Sequence, residues 1–215
     1  MSPHSQVGRP ALSAEERELR RRAIIAQVGS LLRARPYREI SVQEIADHCG
    51  ISKGTFYYYF KTKEEVFWDA LLQNLQDLTF ELIMLMKHLS GQINTPLFIF
   101  CLTQLYGAYW HTIRSLPLLH TELSASVGIE RVEAFHLQLT QIRDILAKPI
   151  YEHFGIFANE NEAQLFVYGL YREVVGISAV HEAFLLPGVC AAKDPIFEQV
   201  MSLFASKLIL LKAQD

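Results

Sequence analysis

Apolar residues recur along this chain at intervals of three and four, the spacing that gathers them on one face of a helix. Ile24, Val28, Leu31 and Leu32 begin the pattern. Ser13 can cap their helix, Glu15 and Glu16 suit its first turn, and Pro36 closes the run. Ser41-Val42-Gln43-Glu44 is a capping box that opens a short helix through Cys49. Gly50 breaks that helix, and Ser52 caps another through about Tyr59. Thr62-Lys63-Glu64-Glu65 is a second capping box and predicts a long helix through about Lys87. Beyond Pro96 the spacing predicts helices over 96–114, 117–127, 129–154, 160–186 and 195–213. Breaks fall at Pro117, Gly128, Gly155 with Asn159, and Pro187-Gly188, and Pro149 should kink or divide its helix. Strand-like alternation of useful length is absent. The pattern is all-α, about nine helices, with a three-helix amino-terminal head and a larger carboxyl-terminal helical domain.

Composition narrows the class. Half of the 215 residues are apolar and 20% are charged, which excludes a disordered chain. Cys49, Cys101 and Cys190 are odd in number, widely spaced and form no CxxC. A reducing, cytoplasmic setting therefore fits better than a disulfide framework or a Cys-rich zinc site. The first ten residues lack the apolar core of a signal peptide. From His88 to Ile113 there is no acid, Lys or Arg, but the polar run up to Pro96 leaves too short an apolar part for a bilayer. A helix buried on all sides is the expectation there, with no membrane partner.

Charge divides the chain in two. The net charge is −3, yet residues 1–65 carry 11 Lys/Arg against 8 Asp/Glu and the rest carry 9 against 15. A basic head on an acidic body implies separate modules. The divisions expected are a flexible basic arm over 1–12, a head over 13–62 and a larger body over 63–215.

The head's chemistry lies between Ser41 and Lys63. Ala46 is small enough for a second helix to approach closely, Gly50 can take the positive φ of a sharp turn, and Ile51 and Phe56 can plug into Ile45. The helix after the turn then exposes Lys53, Gly54, Thr55, Tyr57 and Tyr58. Such an amino end fits a major groove, where short side chains permit contact with base edges.

The string Tyr37 to Leu71, YREISVQEIADHCGISKGTFYYYFKTKEEVFWDAL, resembles the DNA-binding head of the TetR/AcrR family of bacterial transcriptional regulators. The preceding helix and Gly8-Arg9-Pro10 add to the likeness, which covers about 60 residues; the rest matches in length and helical pattern only. The resemblance implies that Gln43, Lys53, Gly54 and Thr55 face base edges. It implies that Ser41, Ser52, Tyr57, Tyr58 and Lys63 hold phosphates, the last at a helix amino terminus. One departure stands out. Tyr59 occupies the place where the family usually has His, so a donor remains but the pH-sensitive charge is gone. The Arg20-Arg21-Arg22 run reads as a solvated face with one phosphate contact.

The body offers a seam and a pocket. A lone helix-turn-helix buries too little DNA for a selective operator, so a homodimer on a palindrome is expected. Phe197, Met201, Phe204, Leu208 and Leu211 form an apolar stripe, and Gly169, Gly176 and Ala183 recur every seven residues as a stripe of small side chains. The resemblance implies that these last two helices pair with their copies as a four-helix bundle. Phe80, Met84, Tyr106, Trp110, His111, Phe135, Tyr168 and Arg172 supply aromatic, apolar and polar groups suited to an effector pocket. Family members commonly hold a small effector in this bundle, here expected to be lipophilic or aromatic. Arg172 needs an acid across the bundle or an anionic ligand.

Catalytic residues, metal ligands and cofactors are not expected, because no HExxH, P-loop, GxGxxG or GxSxG occurs. Two functions remain open. One is a ligand-released repressor, nucleoid-associated when bound to a double-stranded operator. The other is a DNA-bound adaptor whose carboxyl-terminal domain recruits a protein and holds no effector.

Overall fold

Reciprocal bonds fix the start of the first helix, α1 (Ala14–Ala34): Ser13 Oγ accepts the Glu16 N–H while the Glu16 carboxylate accepts the Ser13 N–H at 2.8 Å. This is a computed structural model. It describes residues 13–35, 37–89, 95–154 and 157–184, together with residues 202, 203, 205 and 206, which are helical. Side chains are not described at 95, 153, 154, 174 and 177–184.

A 3-10 turn (Tyr37–Glu39) leads to α2 (Val42–His48), where Ser41 and Glu44 again form a capping box. The short α3 (Lys53–Tyr59) is capped by Ser52, and α4 (Lys63–Leu89) follows as the longest helix among the described residues. The body continues through α5 (Thr95–Ala108), α6 (Trp110–Arg114), α7 (Leu116–His120), a 3-10 turn (Ser124–Ser126), α8 (Ile129–Phe154) and α9 (Glu160–Phe184). No strand occurs among the described residues, and the all-helical class expected from the spacing is the one observed.

Three of the expected helices differ, and the span 117–127 is α7 followed by a 3-10 turn rather than one helix. The span 96–114 divides into α5 and α6, with Tyr109 at φ −105° and ψ 11° between them. Gly107 is a weak helix former there, and the Tyr109 hydroxyl donates to Glu81 of α4 at 2.8 Å, which fixes the bend. Pro149, in contrast, divides nothing: α8 runs through it with the proline buried. The cost of its missing N–H is confined to one carbonyl a turn earlier.

One continuous core joins head and body. Val28 and Leu32 of α1, Ile45, Phe56, Phe60, Phe67, Trp68, Leu71 and Phe135 belong to a single buried cluster. α4 is its spine, packed by α1 on the head side and α8 on the body side. A polar joint lies within it, where Gln138 of α8 donates to Thr79 of α4 and Thr79 donates onward to the Leu75 carbonyl at 2.7 Å.

Among the described residues, no helix is long and apolar enough to cross a membrane.

Candidate nucleic-acid interface

The turn between α2 and α3 is built from one glycine and one backbone bond. Gly50 has φ +62°, a conformation that costs other residues about 1–2 kcal/mol, and the Ile51 N–H donates to the Ala46 carbonyl at 2.9 Å. Ala46 and Ile45 are fully buried beneath the crossing, as is Phe56. The two helices are therefore locked at a sharp angle by small and apolar residues at the places the sequence supplies them.

That crossing leaves one face of α3 outward. Ser52, Lys53, Gly54, Tyr57 and Tyr58 are exposed, Thr55 is half-buried, and Ser41 and Gln43 are exposed at the start of α2. The Ser52 Oγ accepts the Thr55 N–H at 3.0 Å and lies 2.8 Å from Thr55 Oγ1, which orients both hydroxyls at the helix start. Gln43 donates to Asp47 at 2.8 Å along its own helix. A Cβ added at Gly54 would come no nearer than 3.7 Å to any neighbour, so internal packing does not demand glycine there. Close approach from outside is a reason to keep it.

Two residues behave differently from simple phosphate holders. The Lys63 amine donates to the Ile40 carbonyl at 3.0 Å and sits 4.5 Å from the Tyr37 ring centroid, so it braces the head and is only half-exposed. Tyr59 is half-buried, with its ring edge-on to Tyr58. The structure adds Arg17, which the sequence did not single out. Its guanidinium lies 5.5 Å from the exposed Tyr58 ring, so α1 places a cation beside α3. Of the arginine run, Arg22 pairs with Glu18 and Arg21 turns inward to Asp69.

Behind the face, carboxylates tie the head to α4. Tyr37 donates to Glu64 at 2.7 Å, and burial pushes the Tyr37 hydroxyl well above its ordinary range. Burial alone would raise the Glu64 and Glu65 carboxyls as well. Hydrogen bonds from Tyr37 to Glu64, and from the Lys61 N–H and Arg131 to Glu65, outweigh it and hold both below the usual range.

In the body, His120 of α7 lies 2.5 Å from the Tyr171 hydroxyl of α9, against the Phe135 ring and stacked on His136. Burial, then the neighbouring His136, lowers its pKa. Trp110 and Phe135 are buried, and Tyr106 and His111 are half-buried. Burial drives the Tyr106 hydroxyl far above its ordinary value. The Trp68 Nε1, wholly buried beside Phe135, has no acceptor among the described residues. Phe80 and Tyr168 are 64% and 51% exposed, and Met84 and Arg172 are also at the surface. Arg172 is thereby solvated, which removes the need for a buried acid.

Gly169 is half-buried and Gly176 exposed, with open space where a Cβ would stand on each. The Ala183 side chain, Phe197, Met201, Phe204 and Leu208 lie outside the described residues. No group of three metal-binding side chains occurs among the described residues.

These pKa directions predict an acid limb in two steps. His120 has a depressed folded pKa, so its contribution is present above the ordinary value of about 6.5 and declines as pH falls below it. Glu64 and Glu65 contribute above the ordinary carboxylate value of about 4.3 and lose that contribution as pH falls through their depressed values. Thermal midpoints from pH 7.5 to 3 are expected to fall twice, His120→Asn removing the upper step and Glu65→Gln shrinking the lower. An identical pH profile in both variants would contradict these assignments.

A tight two-helix crossing with an outward-facing second helix is the helix-turn-helix arrangement of DNA-binding proteins. Residues 24–70 match the family of bacterial regulatory proteins, tetR family. It is 48% identical over 54 residues to the HTH-type transcriptional regulator EthR of Mycobacterium tuberculosis, a match over 25% of this chain and 24% of EthR. The EthR of Mycolicibacterium smegmatis is 47% identical over the same length. The chain thus spans about a quarter of the length of these curated relatives. The fold as a whole is similar to a transcriptional regulator of Saccharomonospora viridis solved in complex with choline, with TM-score 0.59, 15% identity, and 88% and 96% of the two chains covered. It is also similar to a TetR-family regulator of Mesorhizobium loti, with TM-score 0.58, 16% identity, and 91% and 97% covered.

Proposed function

We propose that the protein is a sequence-specific transcriptional regulator that binds a palindromic operator as a homodimer and acts as a repressor released by a small lipophilic or aromatic effector. The observation that carries this reading is the outward face of α3, where Lys53, Gly54, Thr55, Tyr57 and Tyr58 stand clear of the core while Phe56 anchors the helix from behind. Lysine and threonine there reach base edges, and the Ser41, Ser52, Tyr57 and Tyr58 hydroxyls suit phosphates.

Dimer formation is supported by α9. Leu165 and Tyr168 are exposed beside Gly169 and Gly176, an apolar strip with small residues that a second copy would cover. An effector site within the body is supported by Tyr106, which is half-buried and solvent-reached, though protein surrounds its hydroxyl closely enough to raise its pKa. Trp110, His111 and Phe135 would share that wall. Phe80, Met84, Tyr168 and Arg172 would join it only from the outside of a single chain. Binding would favour one angle of α4 over another, and operator affinity would fall by the effector's differential affinity for the two states.

Thr55→Ala is expected to remove about 1–3 kcal/mol of base discrimination at one position of each half-site, with other positions unchanged. Competition binding against duplexes varied one base pair at a time measures it. An unaltered preference at every position would remove base reading from Thr55.

A further inference from the structure

We propose that Arg131 is a positioning residue that fixes the angle of the head on the body through an ionic clamp with Glu65 and Asp69, and so selects the spacing between operator half-sites. The inference rests on the DNA-binding reading above.

Arg131 is the third residue of α8 and belongs to the body. Its Nε donates to Asp69 Oδ1 at 3.0 Å and its Nη2 donates to Glu65 Oε1 at 2.8 Å. The two carboxylates stand four residues apart on α4, hence on one face, and the planar guanidinium bridges them. Each carboxylate then hands the contact on. The second oxygen of Asp69 accepts from Arg21 of α1, and the second oxygen of Glu65 accepts the Lys61 N–H, in the loop joining α3 to α4, at 2.8 Å. Arg21 also lies 4.9 Å from the ring of Phe60, the residue that closes α3. One cation of the body thereby reaches α1, α4 and the end of the recognition helix through two acids.

Burial separates this contact from ordinary surface pairs. The Asp69 and Glu65 side chains are 12% and 18% exposed, so water and salt screen them little. The ion pair of Arg38 with Glu122, by comparison, is 62% and 40% exposed and contributes little. Orientation matters here because a dimer holds its two recognition helices about 34–36 Å apart on successive major grooves. A head held at one angle accepts one spacing, and a loosened head accepts neighbours.

The test uses the full-length protein and a library of duplexes carrying two copies of the half-site that the wild type itself selects, with the spacer varied in single base pairs. Wild type, Arg131→Gln and Arg131→Lys are compared, with thermal midpoints recorded for each. The same half-site sequence is expected from all three. Discrimination between the best spacer and its neighbours is expected to shrink about 3- to 30-fold in Arg131→Gln, and by less in Arg131→Lys, which keeps the charge but not the fork. A merely structural role would lower the midpoint and weaken every spacer equally. If Arg131→Gln does not fold, Arg131→Lys alone carries the comparison. Wild-type spacer discrimination in every folded variant overturns the clamp. If the wild type selects no duplex, the DNA-binding reading fails, and the spacing role falls with it.

Discussion

Phe56→Ala is expected to cost the head about 3–5 kcal/mol and to abolish duplex binding while leaving most of the body's helical signal in place. Among the seven residues of α3, Phe56 is the one fully buried side chain. Its ring lies 5.6 Å from Phe60 and 5.4 Å from Tyr57, and it shares the buried cluster with Ile45. Two helical turns do not hold together in water without such an anchor, because helix nucleation is unfavourable and short helices gain too few bonds to offset it. Truncation to alanine removes the anchor and leaves a void beneath the turn. Thermal unfolding followed by circular dichroism should split into an early, small loss from the head and a later, larger one from the body. A single transition at the wild-type temperature would show that α3 is held by something other than this ring.

Lys53→Glu should do the opposite, sparing the fold and removing the binding. Lys53 is the first residue of α3 and is exposed, and no core contact depends on it. A carboxylate at a helix amino end is favoured by the helix dipole, so the folded head loses nothing and gains a few tenths of a kcal/mol. With α3 in the groove as proposed, the same change would replace an attractive cation with an anion facing phosphates and base-edge acceptors. Loss of one good base contact costs about 1–3 kcal/mol, and the added repulsion brings the total to about 100-fold or more in affinity. Duplex titrations at two salt concentrations, paired with a thermal melt, measure both halves of the expectation. Unchanged affinity would turn α3 away from the groove.

The head was readable in the sequence because its determinants are local. Ser13, Ser41 and Ser52 cap the helices they precede, and Gly50 sits where a positive φ is required. Each signal spans four residues or fewer, and the physics that fixes it acts within those residues. Where the outcome depended on distant partners, the sequence was silent. Arg131 gives no sign of Glu65 and Asp69, which lie more than sixty positions away, and Arg21 looked like one member of a solvated run until Asp69 claimed it. Nor does the sequence show that Lys63, expected to hold a phosphate, also donates to the carbonyl of Ile40.

The body was readable only in outline. Helical spacing places an aromatic on a helix but does not say which neighbour covers it, so Phe80 and Tyr168 are pocket candidates on the same footing as Trp110, yet both are exposed. The division of α5 from α6 likewise depends on Tyr109 meeting Glu81 across the bundle.

Selection from a pool of random duplexes tests the central claim most directly, since it asks at once whether the head reads sequence and whether two copies read together. Enrichment of one inverted repeat, with half-site centres about one helical turn apart and binding that weakens steeply with salt, is the predicted result. Recovery of DNA with no shared motif, or of single unpaired half-sites, would contradict it.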